Sequence, residues 1–274
     1  MNFGNIPPVV KNLLIINGLF FLATIMFADQ VDLTNLLGLH HPSSSLFMVH
    51  QFVTHFFMHS SGSFGHIFFN MFALWMFGRV LEGVWGSKRF LIYYVVTALG
   101  AAGIYTLYIS FGLNAMENLI ADMRTIGDPA LFKQFVNDYM PMENLVQSYT
   151  DQVRLTASEW IKNPDNEFLK EQAVALSQSF LEMKRDVPMI GASGAVFGVL
   201  LAFGMLFPNT ELMLLFPPIP IKAKWFVLIY GAIELFMGFN ANPADNVAHF
   251  AHLGGMLFGF VLIKMWQKDR NKFY

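Results

Sequence analysis

A single serine lies among glycines in the segment Gly-Ala-Ser-Gly at 191–194, near the start of a long apolar run. The run 187–210 carries no charged side chain and is about as long as a helix that crosses a bilayer. Gly191 and Gly194 leave backbone near Ser193 uncovered, where a substrate or an oxyanion could reach N–H groups. If Ser193 is a nucleophile, its general base must come from another helix at the same depth.

The last apolar run supplies two candidate bases, His249 and His252. At roughly 1.5 Å per residue, Ser193 is about 7–8 Å into its run and His252 roughly 9 Å into the last one, so their depths match. His249 lies one turn earlier, and spacing alone does not choose between the two histidines. In the second run, His66 and Asn70 are four residues apart and share a helix face, from which both can donate hydrogen bonds to an oxyanion.

The elements that must position these side chains are membrane helices. The 274 residues are 55% hydrophobic and 13% charged, with a mean hydropathy of +0.46, which is typical of membrane proteins. A net charge of −2 argues against a nucleic-acid surface, and the absence of cysteine excludes disulfides and thiolate metal sites. Six apolar runs predict an all-α integral membrane protein with a six-helix bundle: 12–28, 66–81, 90–111, 187–207, 225–239 and 246–263.

Lysine and arginine predict the orientation of this bundle. They concentrate at both termini and in the short connections on the same side, so we expect both termini to be cytoplasmic. The second, fourth and sixth runs then begin at the outer face, which brings the candidate site there. The segment 29–65 suits an irregular surface segment with short amphipathic helices, and the first apolar run is expected to be a retained helix.

The long connection 113–186 is polar, with seven of the 17 basic and 12 of the 19 acidic residues. We expect it to fold outside the membrane as a small helical insertion between a first half, 1–112, and a second half, 187–274, of the bundle. Asp128-Pro129 and Asn163-Pro164 are typical of helix starts, and Thr156 with Glu159 of a capping box. The insertion could recruit substrates, cover the site or mediate association into a homo-oligomer, and the sequence leaves these alternatives open.

Together these motifs resemble those of the rhomboid family of intramembrane serine proteases. The resemblance rests on Gly-Ala-Ser-Gly at 191–194, His-Ile-Phe-Phe-Asn at 66–70 and Ala-His-Leu-Gly-Gly at 251–255. Two further segments, Thr-His-Phe-Phe-Met-His at 54–59 and Glu-Gly-Val-Trp-Gly at 82–86, also look like the family. The similarity covers all six runs and excludes the insertion.

This resemblance implies a serine endopeptidase that cuts transmembrane segments of other membrane proteins through an acyl-enzyme. Ser193 would be the nucleophile and His252, rather than His249, the base. His66, Asn70 and the Ser193 backbone N–H would form the oxyanion hole. No metal, nucleotide or carboxylate third member is implied, and no cofactor is expected.

The resemblance also predicts how substrates enter and which substrates are cut. Substrates should carry helix-weakening Gly or Pro and a small residue at the cut. The fifth run is similar to the gate of rhomboids, and we expect Phe236 and Phe239 to face the entry. Glu234, near the middle of that run, is a candidate hydrogen-bond or ion-pair site without an assigned role. The expected location is the bilayer of the bacterial inner membrane, with the active site and the insertion outside.

Three other functions agree with parts of the sequence. A non-catalytic rhomboid relative would bind membrane clients, but such relatives usually lose the serine or the histidine. A transporter or metal protein could use His55 and His59, four residues apart, yet neither Cys nor an acidic ligand accompanies them. A soluble α/β hydrolase would need its second glycine two residues after the serine, where this chain has Ala195, and a preceding strand, of which the sequence gives no signal.

Overall fold

The computed structural model describes residues 6–213, 218–240 and 248–270, and most of them are helical. The α-helices are α1 (Pro8–Met26), α2 (Leu33–Leu37), α3 (Gln51–Thr54), α4 (Phe64–Ala73), α5 (Arg79–Trp85), α6 (Ser87–Ile126), α7 (Pro129–Tyr139), α8 (Gln147–Lys162), α9 (Glu167–Arg185), α10 (Ser193–Leu206), α11 (Ala223–Phe239) and α12 (His249–Arg270). A π-helical segment, Leu74–Gly78, joins α4 to α5, and 3₁₀ turns lie at His55–Phe57 and Met142–Asn144. Two short antiparallel strands, β1 (Glu211–Met213) and β2 (Pro220–Lys222), precede α11. The predicted all-α membrane bundle is confirmed.

Each of the six predicted apolar runs corresponds to a helix, although not all are equally long. Within the described ranges, four are long and apolar enough to cross a membrane: Pro8–Met26, Phe64–Trp85, Ser87–Ile126 and His249–Gln267. Helix α10 has 14 residues and α11 has 17. A helix of 14 residues is about 21 Å long, which is less than the roughly 30 Å of a bilayer's hydrocarbon core.

Helix α10 is short because the residues before it are extended. Leu39 and Met189 exchange two backbone hydrogen bonds, with N–O distances of 2.9 and 2.8 Å. The Gly191 N–H then donates to the carbonyl of His55 at 3.0 Å. The predicted start at residue 187 is therefore wrong, and Ser193 is the first residue of the helix rather than a residue in its second turn. A backbone pairing between distant segments has replaced the first turns of the expected helix.

Helices α6, α10 and α12 form the centre of the bundle, and glycines let them approach closely. A Cβ built on Gly255 would lie 1.9 Å from the carbonyl oxygen of Gly194, so α12 touches the backbone of α10. A Cβ on Gly194 would lie 2.4 Å from the Cβ of Ala101 on α6, and one on Gly198 would meet Thr97 at 2.7 Å. Small residues at such contacts are what close packing of membrane helices requires.

The insertion has a hydrophobic core of its own, and α6 enters it without a break. The predicted third span, 90–111, lies within α6, which continues to Ile126, so the end of the span itself stays a prediction. The expected division between residues 112 and 113 therefore falls inside one helix. The core of this part is built by large side chains of α6, α7, α8 and α9, namely Met123, Phe132, Phe135, Trp160 and Phe180.

The predicted helix starts in the insertion have different outcomes. The Asp128 side chain accepts a hydrogen bond from the Ala130 N–H at 2.8 Å with Pro129 in the first turn, so this cap is confirmed. The start at Asn163 is wrong, because α9 is capped instead by Asn166. The capping box at Thr156 is also wrong, since this residue is buried in the middle of α8. Burial of one face of α8 outweighs the local capping pattern.

Candidate active site

Ser193 and His252 are in hydrogen-bond contact at the N-terminal ends of α10 and α12. The Ser193 Oγ lies 2.9 Å from the His252 Nε2. The His252 ring stacks on Phe197, one turn along α10, with a centroid distance of 4.1 Å and an interplanar angle of 4°. Since a hydroxyl donates to an unprotonated imidazole nitrogen in this geometry, the pair has the arrangement of a nucleophile and its general base.

Gly191 and His66 border the hydroxyl of Ser193. Gly191 has a φ of +123°, a conformation that favours glycine. A Cβ built there would lie 3.0 Å from the Nε2 of His66 and 3.6 Å from the Oγ of Ser193. The missing side chain therefore keeps open a space that both groups line, where a substrate carbonyl could lie.

The tautomer of His66 follows from its other ring nitrogen. The Ser60 N–H donates to the His66 Nδ1 over 3.5 Å, a long hydrogen bond that requires an unprotonated Nδ1. The proton of a neutral His66 ring is then on Nε2, the nitrogen beside Gly191. This side chain thus has a donor at the place where the resemblance predicts an oxyanion hole.

Asn70 lies one turn after His66 and is buried, but the structure shows its amide bonded within its own helix. The Asn70 Nδ2 donates to the carbonyl oxygen of His66 at 2.9 Å. This bond uses one of the two N–H donors of the amide. The predicted role of Asn70 in oxyanion binding requires the second donor and stays a prediction.

Glu234 meets both candidate bases, a contact that sequence reasoning missed. Its carboxylate oxygen Oε2 accepts from the His249 Nδ1 at 2.7 Å and from the His252 Nδ1 at 2.9 Å. Only 7% of Glu234 is exposed, although it lies on an otherwise apolar helix. The signal available in the sequence was an acidic residue within a membrane run, which predicts a partner without identifying it.

The two histidines that spacing could not separate have different partners in the structure. His252 contacts Ser193 through Nε2, whereas the Nδ1 of His249 points to Glu234. Through these contacts, His249 is linked to the serine only by way of Glu234 and His252. This arrangement agrees with the choice of His252 that the resemblance implies.

The histidines of the metal-protein alternative are packed into the segment that precedes α4. The Nδ1 of His55 donates to the Gln51 carbonyl oxygen at 2.8 Å, one turn back, and both His55 and His59 are buried. Burial lowers the pKa of each histidine to about 4, so both rings are neutral near pH 7. Among the described residues, the cluster of metal-ligand type is instead Glu234 with His249 and His252.

The two predicted gate residues lie on the outside of the bundle. Phe236 and Phe239 are 69% and 75% exposed on α11. The ring of Phe239 packs edge-on against Phe250 of α12, with centroids 5.7 Å apart. Phe239 thus lies where α11 meets α12, Phe236 is exposed three residues earlier, and their function as a gate stays a prediction.

Comparisons with known proteins agree with the sequence motifs. The sequence model of the Rhomboid domain matches residues 46–116 and 171–268, more than half of the chain. Rhomboid protein 1, mitochondrial, of Saccharomyces cerevisiae is 34% identical over 89 residues, which are 31% of this chain and 25% of that protein. An uncharacterized mitochondrial rhomboid protein of Schizosaccharomyces pombe is 34% identical over 96 residues, 33% of this chain and 24% of that protein. The aligned part is thus about a quarter of either curated relative.

Proposed function

Because the chain belongs to the rhomboid family, we propose that it is an intramembrane serine endopeptidase that cuts transmembrane segments of other membrane proteins. The observation that carries the proposal is the 2.9 Å contact between the Ser193 Oγ and the His252 Nε2. Family membership alone does not establish activity, since a relative can bind clients without cutting them. A nucleophile and base in contact at a helix start support the catalytic alternative.

In the proposed reaction, the Ser193 Oγ attacks the scissile carbonyl carbon while its proton passes to the His252 Nε2. The carbonyl oxygen becomes an oxyanion, which the Ser193 backbone N–H and the His66 Nε2–H stabilise. This N–H belongs to the first turn of α10, where backbone donors have no intrahelical acceptor. His252 then gives the proton to the leaving amine as the C–N bond breaks, and an acyl-enzyme remains.

A water molecule completes the cycle. It attacks the ester carbon while His252 takes its proton, and the same proton returns to the Ser193 Oγ as the ester bond breaks. A substrate helix must unwind before either step, because its carbonyls are hydrogen-bonded internally. We therefore expect substrates with Gly or Pro near the outer end of the helix and a small residue at the cut.

The chain is an integral membrane protein, and its orientation and membrane belong to the proposal. The distribution of lysine and arginine predicts cytoplasmic termini and a site near the outer face. The bacterial inner membrane is the location expected from the sequence, whereas both curated relatives have mitochondrial in their names. Substrate entry past Phe236 and Phe239 predicts faster cleavage when their bulk is reduced, and unchanged rates would place the gate elsewhere.

The test uses the purified protein in liposomes with a tagged model transmembrane substrate. Cleavage should disappear in Ser193→Ala and in His252→Ala, and a fluorophosphonate probe should label the wild type but not Ser193→Ala. Ser158→Ala is the matched control, because this serine is exposed on α8 of the insertion. A wild-type protein that neither cleaves nor reacts with the probe would refute the proposal and favour a client-binding relative.

A further inference from the structure

The hydrogen bond between Ser193 and His252 continues to a carboxylate. The His252 Nε2 contacts the Ser193 Oγ at 2.9 Å, and the Nδ1 of the same ring contacts the Glu234 Oε2, also at 2.9 Å. We propose that Glu234 is a positioning residue that completes a Ser–His–Glu chain. This inference rests on the proposed function and adds a third member that the resemblance does not imply.

The chemistry of the chain follows from the hydrogen-bond roles of its atoms. A carboxylate only accepts, so the His252 Nδ1 must carry the ring proton. The Nε2 of a neutral ring is then unprotonated and faces the Ser193 hydroxyl, as a general base requires. When Ser193 gives up its proton, the imidazolium forms beside an anion that is already in place. Glu234 itself neither takes that proton nor touches the substrate.

Helix packing aims Glu234 at the histidines. Gly231, Glu234 and Gly238 are spaced by three and four residues and therefore share the face of α11 that meets α12. A Cβ built on Gly231 would lie 3.2 Å from the Met256 Cε, and one on Gly238 would lie 3.2 Å from the Phe250 Cε2. The two glycines bring the helices close on both sides of the carboxylate, so its short side chain reaches α12.

His249 gives the same carboxylate oxygen a second donor. Its Nδ1 lies 2.7 Å from the Glu234 Oε2. A buried carboxylate is costly unless hydrogen bonds compensate for the lost water, and two imidazole donors provide that compensation. His249 thereby helps to hold Glu234 where it contacts His252.

Hydrogen bonds explain the distances between Glu234, His249 and His252 better than a bound metal ion does. Zinc bound tetrahedrally to His nitrogen and carboxylate oxygen at about 2.0–2.1 Å would separate the donor atoms by roughly 3.3 Å. The observed separations of 2.7 and 2.9 Å are those of hydrogen bonds. The His252 Nδ1 also has to be protonated for the Nε2 to act as base, which leaves it unable to ligate.

The decisive variant is Glu234→Gln, which keeps the shape of the side chain and removes its charge. We expect kcat for the model transmembrane substrate to fall by about 100- to 10 000-fold, with KM within about twofold of the wild type. Fluorophosphonate labelling of Ser193 should slow to a similar degree. Glu234→Asp, which keeps the charge, should recover part of kcat. A chelator should leave wild-type cleavage unchanged, and loss of cleavage on chelation would favour the metal instead.

Glu82→Gln is the matched control, because Glu82 is also a buried carboxylate, 3% exposed, but it binds the start of α1. It should lower thermal stability without lowering kcat. If Glu234→Gln has kcat within about threefold of the wild type while Ser193→Ala is inactive, the positioning role is refuted and the proposed function stands. An inactive, unlabelled wild type would refute the function itself.

A measurement on the wild type keeps the inference testable if the Glu234 variants do not fold. In protein with ¹⁵N-labelled histidine, the His252 signal is identified by its loss in His252→Ala. We expect the tautomer with the proton on Nδ1 near neutral pH. A neutral His252 protonated on Nε2 would overturn the proposal, because that ring cannot accept the Ser193 proton.

Discussion

The contact of Gly255 with the backbone of Gly194 is too close for any side chain, and filling it should disable the site. A Cβ at residue 255 would lie 1.9 Å from the carbonyl oxygen of residue 194. Real Cβ atoms essentially never lie within 3.0 Å of another heavy atom, so Gly255→Ala must separate α12 from α10 by about 1.1 Å or more at this point. Because the clashing atom belongs to the backbone, no side-chain rotation can relieve it.

The displacement reaches the pair formed by Ser193 and His252 directly. Gly255 follows His252 by three residues, so both lie on the face of α12 that meets α10. A shift of this size would take His252 and Ser193, now 2.9 Å apart, out of hydrogen-bond range. Misplacement of a catalytic group by about 1 Å costs on the order of 100-fold in rate, and overpacking costs about 1–3 kcal/mol of stability. We therefore expect Gly255→Ala to lower the cleavage rate on the order of 100-fold and to cost about 1–3 kcal/mol of stability.

The assay combines cleavage in liposomes, fluorophosphonate labelling and thermal unfolding in detergent. Gly103→Ala is the matched control, since this glycine is within α6 and a Cβ there would have no atom within 4 Å. That variant also replaces a helical glycine and should be about 0.5–1 kcal/mol more stable, with an unchanged rate. A Gly255→Ala protein with wild-type rate and unfolding midpoint would refute the packing argument.

Three further predictions concern stability. Glu82→Gln should cost about 1–3 kcal/mol, because the Glu82 carboxylate accepts backbone N–H groups of Val9 and Val10 at 3.0 and 2.8 Å. An unchanged unfolding midpoint would contradict this. Thr156→Val should be neutral or stabilise by up to about 1 kcal/mol, because the buried Thr156 hydroxyl has no hydrogen-bond partner in the described chain. A clear loss of stability would show that the hydroxyl is bonded. Finally, burial lowers the pKa of His55 and His59 to about 4, so the unfolded chain binds protons first as the pH falls. The free energy of unfolding should be constant above about pH 6.5 and fall between about pH 6.5 and pH 4. Each of the two histidines should contribute up to about 1.4 kcal/mol per pH unit to this fall, so His59→Leu should make it less steep.

The sequence predicted the meeting of Ser193 and His252 because this contact depends on regular helices. Helical rise and helix starts at the same end of the bundle place both residues at similar depth, and glycines on α10 and α12 allow the helices to touch. Both helices begin later than their apolar runs, yet the two residues still lie in their first turns. The relative depth of the two residues is therefore nearly the same as predicted, and the contact forms although the predicted start of α10 is wrong.

The remaining features depend on contacts between distant segments. The bridge between Leu39 and Met189, which delays α10, joins residues that no local pattern relates. The partners of Glu234 are 15 and 18 residues away along the chain and on another helix. Its role depends on the rotation of α11 about its own axis, which an almost uniformly apolar helix does not specify.

Helix α11 links the site to the membrane through its two faces. The outward face carries Phe236 and Phe239, and the inward face carries Glu234. If substrates enter by displacing the whole helix from α12, the bond between Glu234 and His252 must break during entry and form again before Ser193 can react. If only the outward side chains move, the bond persists throughout. A helix that holds the proposed third member therefore favours entry by side-chain rearrangement, since the base then stays oriented while the substrate arrives.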